Sequence, residues 1–505
     1  MNKILYIITG IIALNYSATF SQELFQEYNS KVAQNEIVAE IGDTKITAAE
    51  FFYSYEFGPA FIKRGKDSKK NHLKYMINEK LITLAGYDED LLKDEEVTSL
   101  FSDYESDLAT EEMFKEKIMS NIKIDQAEVD TIRNSKLIDV ELKWLFAANK
   151  EGIQEYYFAL KNGASFDSLF NGQINDSVFL DMRSMKTTAY SLKKNNPLLS
   201  KIIDTLKVEN YSAPIYVNDE WYIIKLDNVA QSMITNQTEY DKLNYESEQA
   251  VFKTNMDRES DKYVDSLMLS NQPIIRKDAF EILRTYLGKY ILDDNQYTDW
   301  ALEDRLNKAL SNLGLSRGDK YTGIDLVTSE KSNYTIDEFI VWYRNRSLQV
   351  KFDKTDLNTY SRSLENYIWR MVRDKLLTQQ AQEEGYFDKE WVKTQSDWWQ
   401  DKIVYSAMRN KLVNSIMIDN SEMNIADDST EAQQKLSLKL IEKMFRIIES
   451  EKKKNNIVIN DEVLDRISVT SSNDPNEIDL YTAKTGGLIP RPPYPTIDNE
   501  WVYWE

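Results

Sequence analysis

From Ile37 the stretch IVAEIGDTKITAAEFFYSY alternates apolar and polar positions on both sides of a Gly-Asp pair, then shifts to helical spacing. This pattern predicts two short strands around a turn and a helix capped by Thr47, with Glu50 three residues later at capping-box spacing. In the next stretch Leu73, Met76, Ile77, Leu81 and Leu84 fall on one face at helical spacing. A second helical segment runs through EEVTSLFSDYESDLATEEMFKEKIMSNI and ends near KIDQAEVDTI. Residues 22–137 are therefore expected to form a helical arm with one apolar and one charged face.

The block recurs. YTIDEF at 334–339 echoes ITAAEF at 46–51, and YIWRMVRDKLL at 367–377 echoes KYMINEKLI at 74–82. Met76, Ile77 and Leu81 match Met371, Val372 and Leu376 at one constant spacing, which Val97, Tyr104 and Met113 continue onto Val392, Trp399 and Met408. Cap, helix, second helix and closing motif (IKID, then IMID) recur in one order, so 331–420 is expected to be a second arm related to the first. Trp399 matches Tyr104 and is expected in the core, which leaves Trp398 as the surface aromatic.

Between the arms the pattern changes. VELKWLFA reads as a strand, EGIQEYYFALKNG, FDSLF and NPLLSKIIDTLK as helices, and SAPIYVNDEWYIIKLDNV as two strands around a tight turn. Residues 138–232 are thus expected to be a small α+β domain, with a helical connector at 233–330. Residues 421–505 read as charged helix followed by a Gly/Pro-rich tail, GGLIPRPPYP, whose aromatic ending WVYWE is expected to pack against the rest of the chain. The fold class expected is multidomain and mainly α, with two related helical arms flanking the α+β domain.

Composition narrows the chemistry. The 505 residues are 42% hydrophobic with a formal charge of −21, which argues against nucleic acid and anionic membrane surfaces. The opening MNKILYIITGIIALNYSATFSQ has a lysine and then an apolar run from Ile4 to Leu14, too short to span a bilayer comfortably. It is expected to be a signal peptide over 1–21, cut near Ser21–Gln22, and to send the chain to the periplasm. There is no cysteine and a single histidine, His72, set in a helical pattern. Disulfides, histidine-based zinc sites and Ser-His-Asp triads are therefore not expected. The acidic run YDEDLLKDEE lacks the glycine and spacing of a calcium loop, and no Gly-rich phosphate loop is present. No metal and no cofactor are expected.

The export signal, the VAEIGDTKITAAEF opening, the helical arms and the α+β insert together resemble the SurA/PrsA/PpiD group of exported chaperones, which carry parvulin-type peptidyl-prolyl isomerase domains. The most specific match is LKVENYSAPIYVNDEWYIIKL, where Leu206, Ser212, Pro214, Ile215, Ile223, Ile224, Lys225 and Leu226 agree with the family pattern. The resemblance implies a pocket at Trp144, Leu199, Ser212, Val217 and Tyr222. Trp144 and Tyr222 stand where the family carries histidines, Leu199 where it carries an aromatic, Val217 where it carries a hydroxyl residue and Glu209 where it carries a glycine. For the family's acidic or cysteine residue, Asp176 and Asp181 are the nearest positions.

An isomerase must favour a twisted amide against a barrier of roughly 18–20 kcal/mol. With both histidines replaced, the expectation is a folding factor that binds unfolded or outer-membrane-bound polypeptides, with isomerase activity weak or lost and envelope proteins among its candidate partners. No nucleic acid or small-molecule cofactor is expected. The 14 methionines, 10 tryptophans and 30 tyrosines offer adaptable apolar contact surface. Two alternatives stand beside this one: an active isomerase with a histidine-free site, using Tyr222, Ser212 and an aspartate, and a structural subunit of an envelope assembly.

Overall fold

The computed structural model describes residues 20–59, 63, 65–174, 178–217, 219–317, 321, 323–419, 430–470, 488–489 and 491–504. The apolar run expected to be an export signal, and Asp176, lie outside them. The chain divides into two units, residues 1–120 with 260–505, and residues 121–259. No helix among the described residues is long and apolar enough to cross a membrane.

The first unit opens with α1 (Phe20–Tyr28), β1 (Ile37–Ile41), β2 (Thr44–Thr47), α2 (Ala48–Glu56), α3 (Ser68–Asp88) and α4 (Glu95–Lys117). The Thr47 side chain accepts a hydrogen bond from the Glu50 N–H, so α2 starts where its cap places it. The Glu50 carboxylate does not complete the expected box. It meets the buried ammonium of Lys80 at 2.7 Å, a charge-assisted contact stronger than one to a neutral backbone N–H.

Residues 121–259 follow with α5 (Gln126–Lys136), β3 (Ile138–Ala147), α6 (Lys150–Lys161), α7 (Phe166–Gln173), β4 (Ser184–Thr188), α8 (Ala189–Asn195), α9 (Pro197–Ile203), β5 (Ile215–Val217) and β6 (Glu220–Gln231). The boundary falls within α10 (Gln237–Asn271). The antiparallel sheet has the order β4-β3-β6-β5. One face packs Leu145 and Ile223 against Ile153, Leu160, Phe166 and Phe170 of α6 and α7. On the other, Val140, Leu142 and Leu226 pack against Leu192 of α8 and Ile203 of α9.

The first unit resumes with β7 (Ile274–Ile275), α11 (Lys277–Ile291), α12 (Asp294–Asp299), α13 (Leu302–Leu313), β8 (Asp325–Thr328), β9 (Tyr334–Thr335), α14 (Ile336–Arg344), α15 (Leu357–Glu383) and α16 (Glu390–Asp419). It ends with α17 (Thr430–Lys454), β10 (Ile457–Ile459) and α18 (Asp461–Arg466). Thr335 and Glu338 close a full capping box at α14. The two copies keep one spacing: α3 and α15 end at Asp88 and Glu383, short 3₁₀ turns follow at Leu91–Lys93 and Tyr386–Asp388, and the next helices begin at Glu95 and Glu390. β10 adds to the edge of β1, while β7, β8 and β9 form a second small sheet.

Helix α16 packs against α3, α4 and α17. Trp398 is therefore not a surface residue. It is 6% exposed, close to the 5% of Trp399, and its ring sits 5.6 Å from Trp391 and 6.2 Å from Tyr53. A helix covered on several sides buries both members of an adjacent pair, and the periodicity of one face does not reveal this.

A buried charge cluster joins α2, α3 and α16. Lys80 lies 2.7 Å from Glu50 and 2.5 Å from Asp401, and the Tyr87 hydroxyl donates to Asp401 at 2.5 Å. Burial opposes a charge on Lys80, but the two carboxylates outweigh it and hold its pKa above the ordinary lysine value. His72 has a structural place: its Nε2 lies 3.0 Å from the Ser54 hydroxyl. Burial, and then the nearby charge of Lys63, push its pKa down to about 3, so the ring is neutral.

Candidate polypeptide-binding face

Directly opposed residues of an antiparallel pair point to the same side of the sheet. Trp144 of β3 opposes Ile224 of β6, Phe146 opposes Tyr222, and Tyr222 also opposes Ile215 of β5, while Val217 opposes Glu220. Alternation places Trp144 and Phe146 on the same side as Val140 and Leu142, the side that α8 and α9 cover. These helices pack over the Val140–Leu142 end. The other end presents Trp144, Phe146, Ile215, Val217, Tyr222 and Ile224, all half-buried.

This brings Trp144, Val217 and Tyr222 to one surface. Leu199 of α9 is half-buried against the cluster that includes Leu142 and Ile224, at the boundary of the same surface. Ser212 behaves differently. It is 6% exposed, its hydroxyl donates to the Ala213 carbonyl at 2.8 Å and accepts from the Ile224 N–H at 3.0 Å. Its own N–H donates to the Ile224 carbonyl at 2.8 Å. Ser212 thus fastens the segment before β5 onto β6, and its hydroxyl is spent on backbone.

Glu209, at the family's glycine position, has φ of +70°, in the left-handed region that favours glycine. The backbone shape is kept with a glutamate in place. Its N–H donates to Leu226 O at 2.7 Å, and its carboxylate lies 2.6 Å from Lys225. Lys225 is buried on the opposite face, also facing Asp227 at 3.1 Å and Asp167 at 3.3 Å. Burial opposes its charge, and the three carboxylates overcome that and raise its pKa. This agreement with the family pattern is therefore a packing feature.

The Tyr222 hydroxyl donates to Glu220 at 2.5 Å, and its ring meets Phe146 at 5.6 Å. That hydrogen bond, followed by burial, pushes the tyrosine pKa up, so Tyr222 stays protonated at neutral pH and cannot act as a base. Three contributors were missed from the sequence: Phe146, Glu220 and Arg183, whose guanidinium lies 4.5 Å from the centre of the Phe146 ring. Arg183 did carry a signal, being the sole arginine between 134 and 257. The turn Leu180–Met182 delivers it, and beside it Phe179, Leu180 and Met182 are 57%, 55% and 52% exposed. Asp181 is exposed in the same turn. The assembled surface is aromatic and apolar, with one fixed Tyr–Glu pair, one cation and a greasy rim.

No protein-family model matches the chain, and no curated protein matches it. Solved structures similar to it include the peptidylprolyl isomerase PrsA from Bacillus anthracis, at 15% identity over 49% of this chain and 99% of that one, with a TM-score of 0.19. PrsA from Bacillus subtilis is 15% identical over 58% of this chain and 96% of that one, with a TM-score of 0.16. The foldase protein PrsA from Streptococcus pneumoniae is 12% identical over 55% and 93%, with a TM-score of 0.21. At these scores the whole chains do not superpose, and the character of the site rests on this chain's own residues.

Proposed function

We propose that the chain is an exported folding factor of the parvulin type, acting in the periplasm, that holds unfolded or extended polypeptide on the β3/β5/β6 face and does little or no proline isomerisation. One observation carries this. The residues at the two family histidine positions, Trp144 and Tyr222, meet on a half-buried aromatic surface with an exposed apolar rim, while the Ser212 hydroxyl is engaged by backbone. Such a surface gains from burying apolar segments and needs no nucleotide. The Tyr222 hydroxyl is already engaged by Glu220. Placement in the periplasm rests on the Ile4–Leu14 pattern.

The test is fluorescence anisotropy of a labelled, permanently unfolded polypeptide titrated with the full chain. Saturable binding that a short aromatic peptide competes away is the expected result. An unchanged signal up to high concentration would remove the proposal.

A further inference from the structure

The C-terminal tail is held in the first unit the way a bound peptide is held. Its only regular element among the described residues is a 3₁₀ turn, Asn499–Tyr503. Main-chain groups are recognised at both ends. The Leu488 N–H donates to Asp107 at 2.6 Å and its carbonyl accepts from Arg346 at 2.8 Å, while the Asp498 N–H donates to Glu79 at 2.7 Å. Side chains anchor the rest. Arg491 forms ion pairs with Asp107 at 2.7 Å and Glu111 at 2.8 Å, Tyr494 stacks on Tyr53 at 4.3 Å, and the Trp501 indole donates to Glu79 at 2.9 Å. The Asp498 carboxylate receives the Tyr405 hydroxyl at 2.7 Å and faces Lys402 at 3.2 Å.

Main-chain hydrogen bonds combined with spaced side-chain anchors are the usual means of recognising an extended segment. The cradle groups come from α2, α3, α4 and α16 and from Arg346 after α14, and Glu79, Asp107, Glu111 and Arg346 among them are buried charges, costly to leave without partners. The fit is incomplete. A small cavity of about 40 Å³ remains between Tyr494–Ile497 of the tail and Glu50, Lys80 and Lys402.

We propose that this groove is a second polypeptide-binding site that the chain's own tail occupies, and that extended client segments carrying an arginine followed by aromatic side chains displace the tail. The proposal rests on the reading of the chain as a polypeptide binder but does not involve the sheet face.

To test it, a protease site is placed within residues 471–487 of the full chain and cut after folding, which alters none of the contacts above. Labelled peptide 488–505 is then added and followed by anisotropy. The cut chain is expected to take up the peptide about ten-fold more than the uncut chain, a Trp501→Ala peptide to bind about ten-fold more weakly, and excess unfolded aromatic-rich polypeptide to release the label. A cut tail that never exchanges, or uptake that unfolded polypeptide does not reduce, would overturn the proposal. Binding of the same unfolded polypeptide to the uncut chain is read in parallel. Its absence would count against the sheet-face function instead, so the two failures are told apart.

Discussion

Lys80→Met is expected to lower the stability of the unit formed by 1–120 and 260–505 by about 3–5 kcal/mol, the cost of leaving buried charges without their partner. Lys80 stands between Glu50 and Asp401 on three different helices, and its side chain is 8% exposed. Methionine keeps most of the volume, so the loss reports the charge and not a cavity. Denaturant titration followed by circular dichroism reads it as a fall in the midpoint.

The pH dependence has a definite sign. Burial, the largest influence on Glu50, already raises its pKa, and Lys80 works against that shift. Without Lys80 the carboxyl takes up a proton more readily. A group with a raised folded-state pKa adds stability below its unfolded-state pKa and loses it as pH rises through the folded-state value. The deficit of Lys80→Met is therefore smaller near pH 5 than near pH 8. A deficit under about 1 kcal/mol, or one that grows on acidification, would show that the cluster is not the clamp described.

Phe179→Ser combined with Leu180→Ser is expected to weaken binding of unfolded polypeptide about ten-fold, or roughly 1.4 kcal/mol. Both side chains are more than half exposed, so their removal leaves the packing of the 121–259 unit intact and the thermal transition in place. They lie just before Arg183, whose guanidinium covers the Phe146 ring, at the end of the sheet where the proposal places a client's apolar segment. Phe158→Ser is the control. Phe158 is 70% exposed, but it lies on α6, which covers the other face, and its loss leaves affinity unchanged. Equal losses from both variants would mean that any exposed apolar residue is used and that the face has no special role.

Much of this architecture was legible in the sequence. Helical periodicity marked α3 and α15, and the constant spacing from Met76 to Met371 reappears in the matched ends of the helices. The strands around the turn before Glu220 were also readable, because β-branched and aromatic residues, Ile215–Val217 and Trp221–Ile224, flank it on both sides. β4 was not, since Ser184–Thr188 holds only one strongly apolar residue, Met185, and pairs on one side alone. Trp398 was misplaced because the number of neighbours around α16 is a tertiary property. Of the expected site residues, Trp144, Val217 and Tyr222 share a face by register, whereas the use of the Ser212 hydroxyl on Ala213 and Ile224 depends on a crossing that local pattern does not encode.

The central claim is that the β3/β5/β6 face holds extended polypeptide without turning its prolines over. Exchange NMR on a short Xaa-Pro peptide, with the full chain added at increasing concentration, tests it most directly. The expected result is broadening of the peptide's apolar resonances on binding, with the cis/trans exchange rate unchanged. Faster exchange that disappears in Tyr222→Phe would contradict the account and make this a histidine-free isomerase.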